Sequence, residues 1–296
     1  MSATAVPDDV DRLLRTTAGG YGLVGVRSRS RSGDPVVWDV VVAGGSRLFA
    51  KRHKNALMHQ RETARYRLLA PVFGAGRAPA LRAEDARSLP VVTTALPGTP
   101  VIHTDFTTAE EREVYRQAGQ LAAIIHTQPT AGAPVGERLP RAQQRERALA
   151  RARDARLADE DIAVLADATR TEPPRTALAY CHGDFGPRNW IVRRDTDGRP
   201  VVGVIDFERG QVEEPVRRDL MRVTLQLTQH RGDPRAAFAS GYGRELTAEE
   251  RSACRAWAAI DCPAALRRAL DHHRDEEVLG YARTVLDLLR HPNPLA

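Results

Sequence analysis

The sequence predicts an α+β protein in which a small antiparallel sheet precedes a mainly helical region. Three observations lead to this prediction. In the β-branched run of residues 36–42, Val36, Trp38, Val40 and Val42 alternate with Val37, Asp39 and Val41, which is the period of a strand. From Thr108 onwards, long runs of helix formers replace this alternation. The pair Pro97-Gly98 breaks the pattern between them. We therefore expect a first domain at 1–97 and a second at 98–296.

The first domain should contain several short strands and one helix. The Gly44-Gly45 pair favours a tight turn, so the strands on either side of it should form a hairpin. Asn55 is a good N-cap, and Pro71 is expected to end the helix that begins at Ala56. Strands are predicted at residues 21–27, 36–42, 47–51, around 81, and 90–96.

The second domain reads as helices interrupted by one hairpin. A helix is predicted at 108–126, capped by Thr107 or Thr108, and a Pro/Gly-rich loop follows it. Turn residues at 195–198 separate two apolar runs, which is typical of a hairpin. The other predicted elements are a helical region at 141–168, strands at 190–192 and 201–205, and helices over 214–289.

Charge and composition exclude some functions without naming one. With 44 basic and 38 acidic residues, the net charge is +6, which permits anionic ligands such as nucleotides. Arginines crowd residues 141–156, but no aromatic residues interleave with them for base stacking, so we expect a solvated surface and no nucleic-acid partner.

Cysteine usage and hydropathy bear on the compartment. The three cysteines form no paired motif, which suits a reducing environment. The first ten residues lack the apolar core of a signal peptide, and no apolar run approaches the length of a membrane span. The expected location is the cytoplasm, without membrane association. The oligomeric state is left open.

Two segments carry the chemistry. His182-Gly183-Asp184 is followed by Asn189, and Asp206 comes after the predicted hairpin. A hairpin brings the residues before and after it side by side, so Asn189 and Asp206 could converge on one cation. Carboxylate and amide oxygens suit Mg²⁺, which also keeps phosphate oxygens as ligands. Asp184 would then be placed to orient a hydroxyl and take its proton.

These segments resemble those of the aminoglycoside phosphotransferase family, small-molecule enzymes of the two-lobe protein-kinase-like fold. The resemblance implies that Asp184 is the catalytic aspartate and that Asn189 and Asp206 bind Mg²⁺. It also implies that Asp219, in Arg218-Asp219-Leu220, braces the catalytic loop.

The same resemblance assigns residues that bind the nucleotide. Lys51 would contact the α- and β-phosphates and Glu62 would be its ion-pair partner, although Lys54 is a rival for Lys51. Ser32 and Gly33 lie where the loop covering the phosphates should be, but no Gly-x-Gly-x-x-Gly is present. The backbone of residues 92–98 would hold the adenine or guanine edge.

Departures from protein kinases favour a small-molecule substrate. Glu208 replaces the glycine of Asp-Phe-Gly, and no Ala-Pro-Glu follows Asp206. The resemblance implies a phosphotransferase that uses ATP or GTP on an antibiotic-like or metabolite hydroxyl, with antibiotic resistance as the expected role. The positive net charge makes a polycationic aminoglycoside less favourable than a neutral acceptor. A metabolic kinase for choline, homoserine or a sugar-like molecule, and a nucleotide-binding pseudokinase, stay open.

Overall fold

The computed structural model describes residues 6–18, 23–28, 36–42, 45–130, 139–170, 174–227, 234–271 and 276–290. The chain divides into two compact units. The first comprises Met1–Phe106 and Pro187–Gly210, and the second comprises Thr107–Gly186 and Gln211–Ala296. The first unit contains most of the strands and the second most of the helices, as the α+β prediction requires.

The strands, numbered along the chain, are β1 Leu23–Ser28, β2 Val36–Val42, β3 Arg47–Arg52, β4 Leu81–Glu84, β5 Pro90–Thr94, β6 Thr99–Pro100, β7 Ala179–Cys181, β8 Trp190–Arg194, β9 Pro200–Val204 and β10 Gln211–Glu213. The helices are α1 Asp8–Thr17, α2 Ala56–Phe73, α3 Thr108–His126, α4 Arg141–Asp154, α5 Asp159–Ala168, α6 Asp219–Leu227, α7 Pro234–Tyr242, α8 Ala248–Asp271 and α9 Glu276–Arg290. None of these helices combines the length and the apolar composition needed to cross a bilayer.

A five-stranded antiparallel sheet organises the first unit. Its strand order is β1-β2-β3-β5-β4, so β3 is the middle strand. Lys51 pairs with Val37 on one side and with Val91 on the other. Backbone hydrogen bonds on both edges therefore fix the position of Lys51. The hairpin predicted over residues 36–51 is confirmed.

The core of this sheet is closed by a helix that the sequence did not predict. Helix α1 places Val10 and Leu14, both fully buried, in a cluster with Trp38, Val40 and Ala50. The helix has ten residues and no side-chain cap, so its start is marked only by the acidic residues of its first turn. Its stability comes from packing on the sheet rather than from local propensity.

Helix α2 begins as predicted and ends later than predicted. The side chain of Asn55 accepts a hydrogen bond of 2.9 Å from the Met58 N–H, which confirms the cap. The expected end at Pro71 is wrong, because the helix continues to Phe73. The buried ring of Phe73 stacks against that of Phe207, with the ring centroids 6.2 Å apart. This packing offsets the free-energy cost of the helix hydrogen bond that a proline removes.

Two findings refine the helical unit. Thr107, not Thr108, caps α3, and Glu110 completes the capping box. The helical region predicted at 141–168 is two helices, because the chain turns at Arg156, which has a positive φ of 53°. The arginines at 147, 151, 153 and 156 are exposed, as predicted, whereas Arg145 is half-buried and Arg141 is half-buried over the ring of Trp257.

Helices α3 and α7 touch backbone to backbone. A Cβ atom on Gly119 would lie 2.1 Å from the carbonyl oxygen of Phe238, and one on Gly241 would lie 1.8 Å from that of Arg116. Only glycine fits at either position. The close approach places Tyr242, at the end of α7, beside His126, at the end of α3, with ring centroids 5.6 Å apart.

Candidate functional site

In the first unit, Lys51 lies among three carboxylates. Its Nζ is 2.5 Å from Asp206 Oδ1, 2.9 Å from Glu208 Oε2 and 3.2 Å from Glu62 Oε2. The predicted pairing of Lys51 with Glu62 is confirmed, whereas Lys54 is exposed. Strand β3, helix α2 and the segment after β9 therefore converge on one ammonium group.

Phe207 places the two acids that flank it. Its fully buried ring meets Tyr66 edge to face at 5.2 Å and stacks on Phe73, so α2 anchors the segment. Asp206 adopts φ +69°, a left-handed conformation that costs free energy in any residue with a side chain. Such strain is common where a side chain must be aimed at a functional site.

Electrostatics in this Lys51 cluster favour the charged forms. Burial acts to lower the pKa of Lys51, but the charges of Asp206, Glu62 and Glu208 outweigh it, and the pKa is raised well above the ordinary value. Burial acts to raise the pKa of Glu62, but Lys51 and His53 outweigh it and the pKa is lowered. The ammonium and the Glu62 carboxylate are thus both ionised at neutral pH.

The hairpin of β8 and β9 carries the two predicted metal ligands. Trp190 pairs with Val204, and the Ile205 N–H donates a 3.0 Å hydrogen bond to the carbonyl of Asn189. Asn189 and Asp206 therefore flank the same end of the ladder, as the sequence predicted. Their hard oxygen donors suit Mg²⁺. Metal binding by the two residues stays a prediction.

In the second unit, Asp219 holds the loop that carries Asp184. The Asp219 carboxylate accepts hydrogen bonds from the backbone N–H groups of His182, at 2.6 Å, and Gly183, at 2.8 Å. This confirms the bracing role expected for Asp219. His126 Nε2 lies 3.2 Å from the same carboxylate, and Tyr242 hydrogen-bonds the other ring nitrogen of His126 at 3.0 Å.

Burial acts to raise the pKa of Asp219, but its hydrogen bond with His126 and the nearby charges and N–H groups outweigh this and lower it. The buried carboxylate is therefore ionised at neutral pH. An ionised acceptor makes stronger hydrogen bonds than a neutral one, so the loop backbone is held firmly.

Asp184 itself is buried and forms an ion pair with Arg222. Arg222 follows Asp219 by three residues on α6, so the two side chains share one face of that helix. Its other terminal nitrogen lies 3.7 Å from Asp261 on α8. One helix thus supports both the backbone and the carboxylate of the predicted catalytic loop.

Sequence reasoning missed five residues of these clusters, namely His53, His126, Glu208, Arg222 and Tyr242. A signal existed for two of them. His53 follows Lys51 by two residues, as strand neighbours on one face do, and Arg222 lies one helical turn after Asp219. Glu208 was noted only as a departure from protein kinases. Ser32 and Gly33, expected to bind phosphates, lie outside the described residues.

Structures with this fold include antibiotic-modifying enzymes. The GDP and kanamycin complex of an APH(2″) enzyme superposes with a TM-score of 0.66 at 15% identity, covering 96% of this chain and 98% of that one. The macrolide 2′-phosphotransferase of Brachybacterium faecium superposes with a TM-score of 0.59 at 18% identity, covering 94% and 98%.

An aminoglycoside-3′-phosphotransferase of type VIII has 26% identity and a TM-score of 0.57, covering 86% of this chain and all of that one. A search of curated protein sequences found no significant match. These likenesses confirm the two-lobe protein-kinase-like fold.

The family model described as "Phosphotransferase enzyme family" matches residues 30–257, which is more than half of the chain. The match spans the Lys51 cluster, the Asp184 loop and the β8–β9 hairpin. The chain therefore belongs to this phosphotransferase family, as a nucleotide-dependent enzyme that transfers phosphoryl groups to hydroxyls of small molecules.

Proposed function

We propose that this enzyme moves the γ-phosphoryl group of ATP or GTP to a hydroxyl of an antibiotic-like small molecule and thereby confers resistance. The Lys51 cluster is the observation that carries the proposal. Its ammonium is half-buried, ionised and paired with Asp206 and Glu62 on fixed elements of one unit. Such an ammonium is suited to steady the phosphates of a nucleotide.

Each residue of the proposed mechanism has a separate task. Asp184 accepts the proton of the acceptor hydroxyl as the hydroxyl oxygen attacks the γ-phosphorus, and the nucleoside diphosphate departs. Lys51 holds the phosphates in line for this displacement. Asn189 and Asp206 would hold Mg²⁺, which when bound supplies positive charge to the phosphate oxygens.

The acceptor class is argued from charge and from the relatives. Kanamycin is bound by one structural relative, and another is named for its action on macrolides. The net charge of +6 opposes a polycationic acceptor. We therefore favour a neutral or weakly charged hydroxylated antibiotic, such as a nucleoside or a peptide antibiotic, over an aminoglycoside.

We place the reaction in the cytoplasm. The three cysteines, Cys181, Cys254 and Cys262, are buried and form no disulfide with one another, which suits a reducing compartment.

A substrate screen tests the proposal. The purified enzyme is incubated with Mg²⁺, with ATP or GTP, and with hydroxylated antibiotics and metabolites in parallel, and each acceptor is examined by mass spectrometry. We expect one antibiotic to gain a single phosphoryl group. Asp184→Asn should abolish the gain while nucleotide binding persists, whereas Asp197→Asn, on the exposed turn of the β8–β9 hairpin, should keep full activity.

Other results would redirect or refute the assignment. Phosphorylation confined to choline, homoserine or sugars would identify a metabolic kinase instead. Nucleotide binding without Mg²⁺-dependent turnover of any acceptor or of water would identify a pseudokinase. Full turnover by the Asp184→Asn enzyme would refute the role of Asp184.

A further inference from the structure

His53 contacts the same carboxylates as Lys51. Its Nε2 lies 2.6 Å from Glu62 Oε2 and its Nδ1 lies 3.8 Å from Glu208 Oε2. The imidazole is fully buried. His53 follows the end of β3, and its backbone N–H donates a 3.1 Å hydrogen bond to the Leu89 carbonyl. This bond holds the backbone from which the imidazole extends.

The Lys51 ammonium alone does not balance the carboxylates of the cluster, so a second donor would stabilise them. Three carboxylates surround the single ammonium of Lys51. A buried carboxylate without a sufficient partner is costly, and Glu62 is almost completely buried. His53 Nε2, at 2.6 Å from Glu62 Oε2, lies within donor distance of that carboxylate, although the ring is not oriented for a linear hydrogen bond, and this contact relieves part of the cost.

A metal ion is the competing explanation for this cluster. One atom from each of His53, Glu62 and Glu208 lies within 4.8 Å of the others, which is close enough to ligate an ion. However, the ammonium of Lys51 lies 3.2 Å and 2.9 Å from the two carboxylates and already supplies the cation there. Repulsion from this half-buried ammonium opposes a divalent ion at the same oxygens. The geometry therefore favours a hydrogen-bonding role for His53.

We propose that His53 is a positioning residue that holds Glu62, and through Glu62 the Lys51 ammonium, in the geometry needed to bind nucleotide phosphates. This inference rests on the proposed function, in which Lys51 contacts those phosphates. When Lys51 shares its hydrogen bonds with the nucleotide, the Glu62 carboxylate loses part of its partner. His53 keeps that carboxylate bonded and in place.

The chain offers a matched control in His59. His59 is as buried as His53, and the two rings meet edge to face at 5.9 Å. Its Nε2 lies 3.3 Å from Glu84 Oε2, so it also pairs with an acid. Glu84 belongs to β4 rather than to the Lys51 cluster. Loss of His59 therefore reproduces the structural cost of removing a buried, acid-paired histidine while both partners of the His53–Glu62 contact remain.

The test compares steady-state kinetics of His53→Leu, His53→Gln and His59→Leu. For His53→Leu we expect the KM for the nucleotide to rise about tenfold, which is the loss expected for one hydrogen bond to a charged group, and the KM for the acceptor to stay within about twofold. His53→Gln places an amide N–H near the position of Nε2 and should recover to within about threefold of wild type. His59→Leu should change neither KM.

Equal nucleotide KM values for His53→Leu and His59→Leu would overturn the inference, as would a glutamine variant as impaired as the leucine variant. If His53→Leu does not fold, His53→Asn replaces it, because its shorter amide should not reach Glu62. The Kd for nucleotide, measured by calorimetry without acceptor, gives the same comparison. If no acceptor is ever phosphorylated, the proposed function fails while these Kd values still decide the role of His53.

Discussion

Two groups of residues bury charge in opposite ways. One is the Lys51 cluster, and the other is the Asp219 cluster, which consists of Asp219, His126, Tyr242 and the backbone of His182 and Gly183. In the first, one ammonium faces three carboxylates, and the side chain of Asp206 is still 33% exposed. In the second, one carboxylate faces two backbone N–H groups and a histidine, and Asp219 is only 1% exposed. The first has more negative charge than its cation balances, and the second satisfies its single charge with fixed donors.

We interpret this difference as that between a site suited to ligands and a site that supports structure. Excess carboxylate beside a partly exposed aspartate can accept further positive charge, such as that of a metal ion brought with a nucleotide. A carboxylate enclosed by backbone donors has nothing to offer a ligand and instead fixes a loop. We therefore expect changes at Lys51 to alter activity most, and changes at Asp219 to alter stability most.

Lys51→Met should produce the largest effect. The variant removes the ammonium proposed to contact the phosphates, and we expect kcat/KM for the nucleotide to fall at least about a hundredfold, the usual scale for losing one group that stabilises transition-state charge. The measurement is initial rate against nucleotide concentration. Lys54→Met, at an exposed neighbouring position, is the control. An equal fall in kcat/KM for both variants would contradict a role for Lys51 in binding the nucleotide.

Asp219→Asn should lower the free energy of unfolding by about 3 kcal/mol, because it removes the charge that the loop N–H groups and His126 bond. Urea denaturation measures this loss. Asp287→Asn, in an exposed pair with Arg290, should change the free energy by less than about 0.5 kcal/mol.

The pH dependence of that loss follows from the pKa of Asp219, which is lowered in the folded protein. A carboxyl group with a lowered pKa contributes its full stability above its unfolded value, 3.8, and loses that contribution as the pH falls through the folded value. The difference between wild type and Asp219→Asn should therefore be greatest near neutral pH and shrink below about pH 4. A constant difference across the acid range would contradict an ionised, structural Asp219.

The sequence predicted those parts of both clusters that depend on local order along the chain. Asn189 and Asp206 were placed together because a turn with strand-like runs on both sides dictates a hairpin. The pairing of Lys51 with Glu62 was implied by the family resemblance, which fits their places on a predicted strand and on the capped helix that follows it. By contrast, the contacts of His126 with Tyr242 and of Arg222 with Asp184 join helices distant in sequence, and no local period encodes them. The predicted end of α2 at Pro71 was wrong because the packing of Phe73 stabilises the last turn of the helix despite the proline.

The crossing of α3 and α7 offers the smallest and most specific test of the Asp219 cluster. Gly241→Ala would bring a methyl group against the Arg116 carbonyl, so the two helices must separate, at a cost of about 2 kcal/mol. Because Tyr242 is the next residue, its hydrogen bond with His126 should weaken as well. Gly280→Ala on α9 meets no atom within 4 Å and should be neutral or stabilising by up to about 1 kcal/mol. If both alanine variants unfold at the same urea concentration as wild type, the backbone contact does not hold the histidine against Asp219, and the cluster is supported by the loop N–H groups alone.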